Sequence, residues 1–129
     1  MTLFNQRTTN IKNSRESPEI RRVGITGASG SLGKALSKVF RSKGFYVIGL
    51  THRAESKKID SEEGPNEWLQ WSPGKEKELE TIFETLDLLV LNHGINPQGN
   101  QSPSALTEAL EVNALSTWRL IESFQNIQR

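Results

Sequence analysis

VGITGASGSLG, at residues 23–33, is the stretch that decides the fold of this chain. It passes from an apolar run into three glycines spaced three apart, and then into residues 34–40, whose apolar positions recur at helical spacing. This order predicts a β-strand, a tight turn and the start of an α-helix. The N terminus of a helix carries unpaired backbone N–H groups and the positive end of the helix dipole, so the turn is suited to a phosphate.

Each glycine of this turn has a separate role if the turn holds a dinucleotide. Gly27 makes the turn, Gly30 lets the backbone approach a pyrophosphate, and Gly33 lets the helix pack closely on the strand. The same turn supplies the other candidate cofactor contacts, Ser29, Ser31 and Leu32. The alternative is a glycine-rich connection without any ligand, because three glycines alone carry little information.

The composition argues against several classes of function. The 129 residues include 16 Lys and Arg against 15 Asp and Glu, so no strong field attracts nucleic acid or an acidic membrane surface. The chain has no cysteine, which excludes disulfides, thiolate catalysis and cysteine metal sites and fits a reducing compartment. The strongest apolar run, residues 88–91, is far shorter than the ~20 residues that span a bilayer. We therefore expect a cytoplasmic protein that binds neither nucleic acid, membrane nor metal.

Alternating helix and strand patterns continue along the chain. The predicted elements after a first strand at residues 22–26 are a helix at 31–42, strands at 45–50 and 68–71, a helix opened by Ser72–Pro73, a strand at 87–92 and a final helical region opened by Ser102–Pro103. The apolar face of the final helical region is predicted from Leu106, Leu110, Leu115, Trp118, Ile121 and Phe124. Residues 1–20 are polar and predict a flexible tail ahead of one domain at residues 21–129.

Three stretches together resemble the short-chain dehydrogenase/reductase family. Residues 26–33 have the Thr-Gly opening of that family with the glycine spacing of its epimerase-like branch. Residues 92–94, Asn-His-Gly, resemble its Asn-Asn-Ala-Gly element, and residues 111–113 place an asparagine in the last helix as the family does. Residues 92–96 and 118–120 are also similar to the reductase part of fused sterol desaturase/short-chain dehydrogenases.

The resemblance implies an α/β fold of the Rossmann type. Its three-layer sandwich would contain a parallel sheet of strand order 3-2-1-4 that is truncated before strand five. Strand four, at residues 87–92, would then have an open edge. Because an unpaired apolar strand can pair with another chain, this edge predicts self-association or a protein partner.

The resemblance also implies roles for residues beyond the glycine turn. Asn92, His93 and Gly94 would contact the cofactor, and Asn113 would support the active site by fixing a kink and a water of a proton relay. Plainer alternatives remain for each side chain: Asn92 caps a strand, His93 fills a loop position and Asn113 faces solvent.

The choice of cofactor depends on the end of the second strand, at Thr51, His52 and Arg53. Sites that prefer NAD place an acidic residue there for the ribose 2′-hydroxyl, and this sequence has none. Arg53 can pair with a 2′-phosphate instead, so we predict that NADP(H) is preferred over NAD(H). The alternative is that Arg53 is a solvated loop charge.

The catalytic residues implied by the resemblance are absent. Hydride transfer in the family uses a serine and a Tyr-x-x-x-Lys pair, but the single tyrosine, Tyr46, lies in the second strand and is followed four residues later by Leu50. We therefore predict the cofactor-binding portion of an oxidoreductase that does not catalyse hydride transfer alone. The alternative is a non-catalytic nucleotide-binding or interaction module, or a remnant, derived from the same family.

Overall fold

Five strands form one sheet in the structure, a computed structural model that describes residues 2–5, 20–52, 64–94 and 102–127. The strands are β1 (Thr2–Asn5), β2 (Arg22–Thr26), β3 (Tyr46–Thr51), β4 (Glu67–Gln70) and β5 (Leu88–Leu91). Their order in the sheet is β1-β5-β2-β3-β4. The four strands from β2 onward are parallel, and their order is the predicted 3-2-1-4 arrangement. The Rossmann-type α/β fold is therefore confirmed.

Helices cover both faces of this sheet. The helical segments in chain order are α1 (Ser31–Ser42), a 3-10 turn (Glu76–Leu79), α2 (Glu80–Phe83), α3 (Pro103–Leu110), a π-helical turn (Glu111–Leu115) and α4 (Ser116–Ile127). Leu36 and Phe40 of α1 pack on one face of the sheet, and Phe83 of α2 and Phe124 of α4 pack on the other. Within the described ranges, every helix is too short or too polar to cross a bilayer.

The central strands are apolar on both sides because each side meets a helical layer. In β3, Val47 joins the core beneath α1, whereas Ile48 and Leu50 join the core beneath α2 and α4. This alternation follows from the period of two residues in a strand. At Gly24 in β2, an added Cβ would lie 2.7 Å from Leu86 Cδ1, so the Leu86 side chain packs directly against the backbone of β2.

The strand β1 corrects two predictions about the sheet edge and the N terminus. It pairs antiparallel with β5 over its whole length, from Thr2 opposite Leu91 to Asn5 opposite Leu88. The prediction of an open edge on strand four is therefore wrong, and self-association through that edge loses its basis. The prediction of a flexible tail is wrong for residues 2–5, and residues 6–19 lie outside the described ranges.

The helical segment before β5 begins later than predicted. Ser72–Pro73 does not start the helix, because Gly74 has a φ of +92°, which interrupts right-handed helical geometry. The Gly74 N–H instead donates to Glu76 Oε1 at 3.0 Å, and helical structure begins at Glu76 as a 3-10 turn.

The buried helix faces also differ from those predicted. The apolar spacing of α1 predicts one face made of Leu32, Leu36, Val39 and Phe40. In the structure Leu32 and Val39 are exposed, and the face on the sheet is formed by Gly33, Leu36, Ser37 and Phe40. In the final helical region, the predicted residues Leu106, Leu110, Leu115 and Trp118 are exposed, and the buried side chains are Val112, Ser116, Leu120 and Phe124. The π-helical turn adds one residue to a helical turn and so shifts the buried face away from the regular period.

Candidate functional site

A cleft of about 380 Å³ opens at the carboxyl ends of β2, β3 and β5. Open α/β sheets bind ligands at this edge, where the strand order reverses on either side of the first parallel strand. The lining residues are Gly27, Ser29, Gly30, Ser31, Leu32, Gly33, Thr51, His52, Asn92, His93 and Gly94. These are the predicted cofactor residues apart from Arg53, which lies outside the described ranges. The structure thus brings three separate stretches of sequence to one place.

Two glycines of the turn are required by backbone contacts. Gly27 has a φ of +64°, and a Cβ there would lie 2.6 Å from the Asn92 carbonyl oxygen. A Cβ on Gly33 would lie 2.2 Å from the Gly27 carbonyl oxygen and 2.6 Å from Ala28 Cα. These separations are shorter than van der Waals contact, so both positions exclude a side chain before any ligand is considered.

Gly30 differs from the other two glycines because the protein leaves space beside it. A Cβ built there would meet only the Gly27 carbonyl oxygen, at 3.7 Å. Gly30 is the N-cap of α1, and the Lys34 N–H donates to its carbonyl at 2.9 Å. As a glycine, it has no side chain to cap the helix, and the first turn of α1 contains no acidic residue. An anion is the complementary ligand for such a helix end.

The glycine turn is attached to the end of β3. Ser29 Oγ and Thr51 Oγ1 are 3.3 Å apart, and either hydroxyl can donate. The Ala28 N–H donates to the Leu50 carbonyl at 3.5 Å, and Thr51 itself is buried. These bonds hold one wall of the cleft, with His52 at its end, against the glycine turn.

The other wall of the cleft is attached to β2 through Thr26, which the sequence analysis did not include among the site residues. Its side chain is fully buried at the end of β2. The Asn92 N–H donates to Thr26 Oγ1 at 2.8 Å, and His93 Nδ1 lies 2.9 Å from the same oxygen. The signal available in the sequence was a hydroxyl residue that ends an otherwise apolar buried strand.

The ring of His93 is half-buried at this wall. The rings of His93 and Trp71 make a T-shaped contact, with centroids 5.3 Å apart and ring planes at 86°. Burial lowers the pKa of His93 below its ordinary value of 6.5, and the electrostatic effect of the neighbouring His52 lowers it further. The Val112 carbonyl and the Glu76 carboxylate oppose this shift only in part. His93 is therefore neutral at pH 7.

We expect the free energy of unfolding to fall as the pH falls below about 6.5, because the unfolded state then binds a proton on His93 that the folded state does not. The loss continues toward the lowered folded-state pKa, with a slope of at most ~1.4 kcal/mol per pH unit. Urea unfolding at several pH values between 7.5 and 5.5 measures this loss in the free energy of unfolding. His93→Gln should lack this component of the slope, and equal slopes in the two proteins would contradict the expectation.

Asn113 lies beside the cleft on the π-helical turn. A Cβ on Gly94 would be 3.1 Å from Asn113 Oδ1, so the asparagine amide lies against the backbone of the β5 wall. Asn113 is therefore close to the predicted cofactor residues, although its supporting role in catalysis stays a prediction.

Arg119, which is partly exposed, bridges two carboxylates and so holds the same π-helical turn on the buried Glu76. Arg119 bonds to Glu111 of the turn, and its Nε lies 3.1 Å from Glu76 Oε1. Burial alone would raise the pKa of Glu76, but the Gly74 N–H and the Arg119 guanidinium lower it below its ordinary value. These ion pairs were not predictable, because Glu76 is distant in the sequence from Glu111 and Arg119.

Comparison with known proteins identifies the family. The model of the NAD dependent epimerase/dehydratase family matches residues 23–129. Monoglucosyldiacylglycerol epimerase of Synechocystis sp. is 34% identical over 106 residues, which make up 81% of this chain and 26% of that protein. The chain thus spans about a quarter of the length of this curated relative.

Solved structures show the same fold. The short chain dehydrogenase of Leptospira borgpetersenii, with bound NAD+, is 27% identical with a TM-score of 0.65, over 82% of this chain and 45% of that one. A short-chain dehydrogenase/reductase family oxidoreductase of Brucella ovis, in complex with a partially ordered NAD, is 22% identical with a TM-score of 0.65, over 84% and 57%. These neighbours agree with the predicted resemblance. Because the family model covers the sequence from β2 to the last residue, the chain belongs to the NAD dependent epimerase/dehydratase family.

Proposed function

We propose that this chain binds the dinucleotide cofactor of a short-chain dehydrogenase/reductase-like oxidoreductase. The observation that carries the proposal is the space beside Gly30, at an N terminus of α1 that has no acidic residue in its first turn and opens into the cleft. A Cβ would fill that space, and a pyrophosphate needs it. The NAD+ and NAD bound by the Leptospira and Brucella proteins support the same ligand class.

The two walls of the cleft would hold different halves of the cofactor. In dinucleotide folds the ribose of the adenosine half is held at the end of the second strand, which is β3 here. Thr51 and His52 would then face the adenosine half. The nicotinamide half would lie over the end of β5, at Asn92, His93 and Gly94, with the pyrophosphate between them at Gly30.

Titration calorimetry and thermal unfolding test this function. The 129-residue chain should bind NAD(H) or NADP(H), and ligand at 100 times its Kd should stabilise the folded state by about 2.7 kcal/mol. ATP and free nicotinamide are titrated for comparison, because each resembles only part of the dinucleotide. The proposal would be refuted if the chain folds cooperatively but shows neither heat of binding nor an upward shift in Tm with NAD+, NADH, NADP+ or NADPH.

We propose in addition that NADP(H) binds more tightly than NAD(H). The support is the absence of an acidic residue at Thr51, His52 and Arg53 and the charge of Arg53. A charge-assisted bond from Arg53 to the 2′-phosphate, worth about 1.5–3 kcal/mol, gives a preference of roughly 10- to 150-fold. Arg53→Ala should remove the preference, and Lys43→Ala, which removes an exposed cation outside the cleft, should retain it. Equal binding of NADH and NADPH by the unaltered chain would refute the preference.

The chain alone should bind cofactor without hydride transfer. Tyr46 Oη donates to Glu67 at 3.0 Å, and this bond raises the pKa of Tyr46, with burial and the charge of Glu67 acting in the same direction. Such a phenol is a poor proton donor, and the residue four positions later is Leu50, so Tyr46 does not form a Tyr-x-x-x-Lys pair. The lack of a Tyr-x-x-x-Lys pair also favours the second candidate, a non-catalytic nucleotide-binding module at residues 21–129. A Tyr-x-x-x-Lys encoded beyond Arg129 would favour the oxidoreductase, and unrelated sequence there would favour the module.

The chain contains no cysteine, which supports a cytoplasmic location for both candidate functions.

A further inference from the structure

The ring of His93 joins three elements that are distant in the sequence. Nδ1 lies 2.9 Å from Thr26 Oγ1 at the end of β2, and Nε2 lies 3.2 Å from Thr117 Oγ1 and 3.5 Å from Ser116 Oγ on α4. His93 itself follows β5. A ring with polar contacts at both nitrogens and a T-shaped contact with Trp71 is held in one orientation.

The π-helical turn provides an acceptor for this ring. In a regular α-helix, the Ser116 N–H would donate to the carbonyl of Val112, four residues earlier. Here it donates to the carbonyl of Glu111, five residues earlier, which removes the usual partner of the Val112 carbonyl. That carbonyl acts on the imidazole of His93 as a hydrogen-bond acceptor does, because it raises the pKa of the ring against the effect of burial. The hydroxyls of Ser116 and Thr117, directly after the irregular turn, lie 3.5 and 3.2 Å from Nε2.

The position of the ring proton follows from Thr26. Its hydroxyl accepts the Asn92 N–H at 2.8 Å and has one hydrogen to donate. His93 Nδ1, at 2.9 Å, is nearer than the Val90 carbonyl, at 3.4 Å. Nδ1 is then the acceptor, and the proton of the neutral ring is on Nε2, where it faces the π-helical turn.

We propose that His93, as the neutral Nε2–H tautomer, is a positioning residue for the nicotinamide half of the cleft. It fixes the Asn92–Gly94 wall to β2 on one side and to the turn that carries Asn113 on the other. The proposal rests on the function proposed above, because it assigns this wall to one half of the dinucleotide. A histidine that merely fills the core would affect overall stability and both halves of the cofactor alike.

Nuclear magnetic resonance of the ring nitrogens tests the bonding, and nucleotide titrations test the positioning. The chain has two histidines, so His52→Gln leaves only the signals of His93. We expect a protonated Nε2 and an unprotonated Nδ1 at pH 7.5. A predominant Nδ1–H tautomer would overturn the proposal.

The titrations compare NADH with ADP, which lacks the nicotinamide half. His93→Asn keeps a polar group near Nδ1 but cannot reach the π-helical turn, whereas His93→Gln can place a donor near Nε2. We expect His93→Asn to weaken NADH binding about threefold to tenfold and to leave ADP binding within twofold, and His93→Gln to restore NADH affinity. Equal losses for both nucleotides, or no loss for NADH, would overturn the positioning role.

Failure of the proposed function gives a different result. An unaltered chain that binds neither ADP nor NADH refutes the function, and amide hydrogen exchange without ligand then decides the role of His93. Faster exchange at Asn92 and Ser116 in His93→Asn, reversed in His93→Gln, supports it as the residue that fixes this wall. Unchanged exchange overturns it.

Discussion

Replacing Gly30 with Asp is expected to abolish dinucleotide binding without unfolding the protein. Asp is a preferred N-cap residue, and its charge is favourable at the positive end of α1, by about 0.3–1 kcal/mol. The backbone around Gly30 accommodates a side chain, since a Cβ meets only one atom within 4 Å, at 3.7 Å. The carboxylate would occupy the space proposed for the pyrophosphate and repel it. Stability and binding should therefore change in opposite directions.

The affinity of Gly30→Asp for NADH should fall roughly 100-fold or more, because at least two charge-assisted hydrogen bonds of about 1.5–3 kcal/mol each are lost. Titration calorimetry measures the affinity, and urea unfolding measures the stability. Gly30→Asn is the matched control, since it caps the helix without the charge and should bind better than Gly30→Asp. Unchanged affinity in Gly30→Asp would mean that no phosphate binds at α1.

Replacing Gly33 with Ala is expected to destabilise the fold severely, although the two glycines belong to the same turn. The added Cβ would lie 2.2 Å from the Gly27 carbonyl oxygen and 2.6 Å from Ala28 Cα, and both atoms are backbone. No side-chain rotation relieves these contacts, so α1 must move away from β2. Overpacked positions cost about 1–3 kcal/mol, and a backbone clash belongs at or above that upper limit.

Urea unfolding gives the change for Gly33→Ala directly. Lys34→Ala is the control, because it also introduces an alanine, at the next position of α1, which is exposed. Its free energy of unfolding should stay within about 0.5 kcal/mol of that of the unaltered protein. A Gly33→Ala protein that is as stable as Lys34→Ala would contradict the close packing of α1 on β2. The contrast with Gly30 separates a glycine that the fold needs from one that the ligand needs.

Local patterns explain why much of this fold was predictable. The helix at residues 31–42 has the predicted bounds because Gly30 and Gly44 mark its two ends, and Gly44 has a φ of +88°. The parallel strands were recognisable because burial on both faces requires continuous apolar runs. The strand β1 left no such signal, since its pairing with β5 depends on a partner far away in the sequence.

The candidate site, like the fold, was predictable only in part. The cleft residues were predictable because the carboxyl ends of parallel strands meet at one edge, which brings Gly30, Thr51 and Asn92 together. The contacts of Thr26 and Thr117 with His93 were not predictable, because they join side chains of segments that are distant in the sequence. The π-helical turn was not predictable either, and it displaced the apolar period on which the last helical face had been predicted.

The covered edge of β5 also sets an order for folding. During synthesis, β1 leaves the ribosome long before its partner, so Thr2–Asn5 has no strand to pair with until Leu88–Leu91 has emerged. Closing so long a loop is entropically unfavourable, and contacts between distant segments form slowly. The parallel strands can assemble first, with the β5 edge exposed in that interval. A nascent chain of this protein is therefore most exposed to aggregation in the interval before β1 pairs with β5.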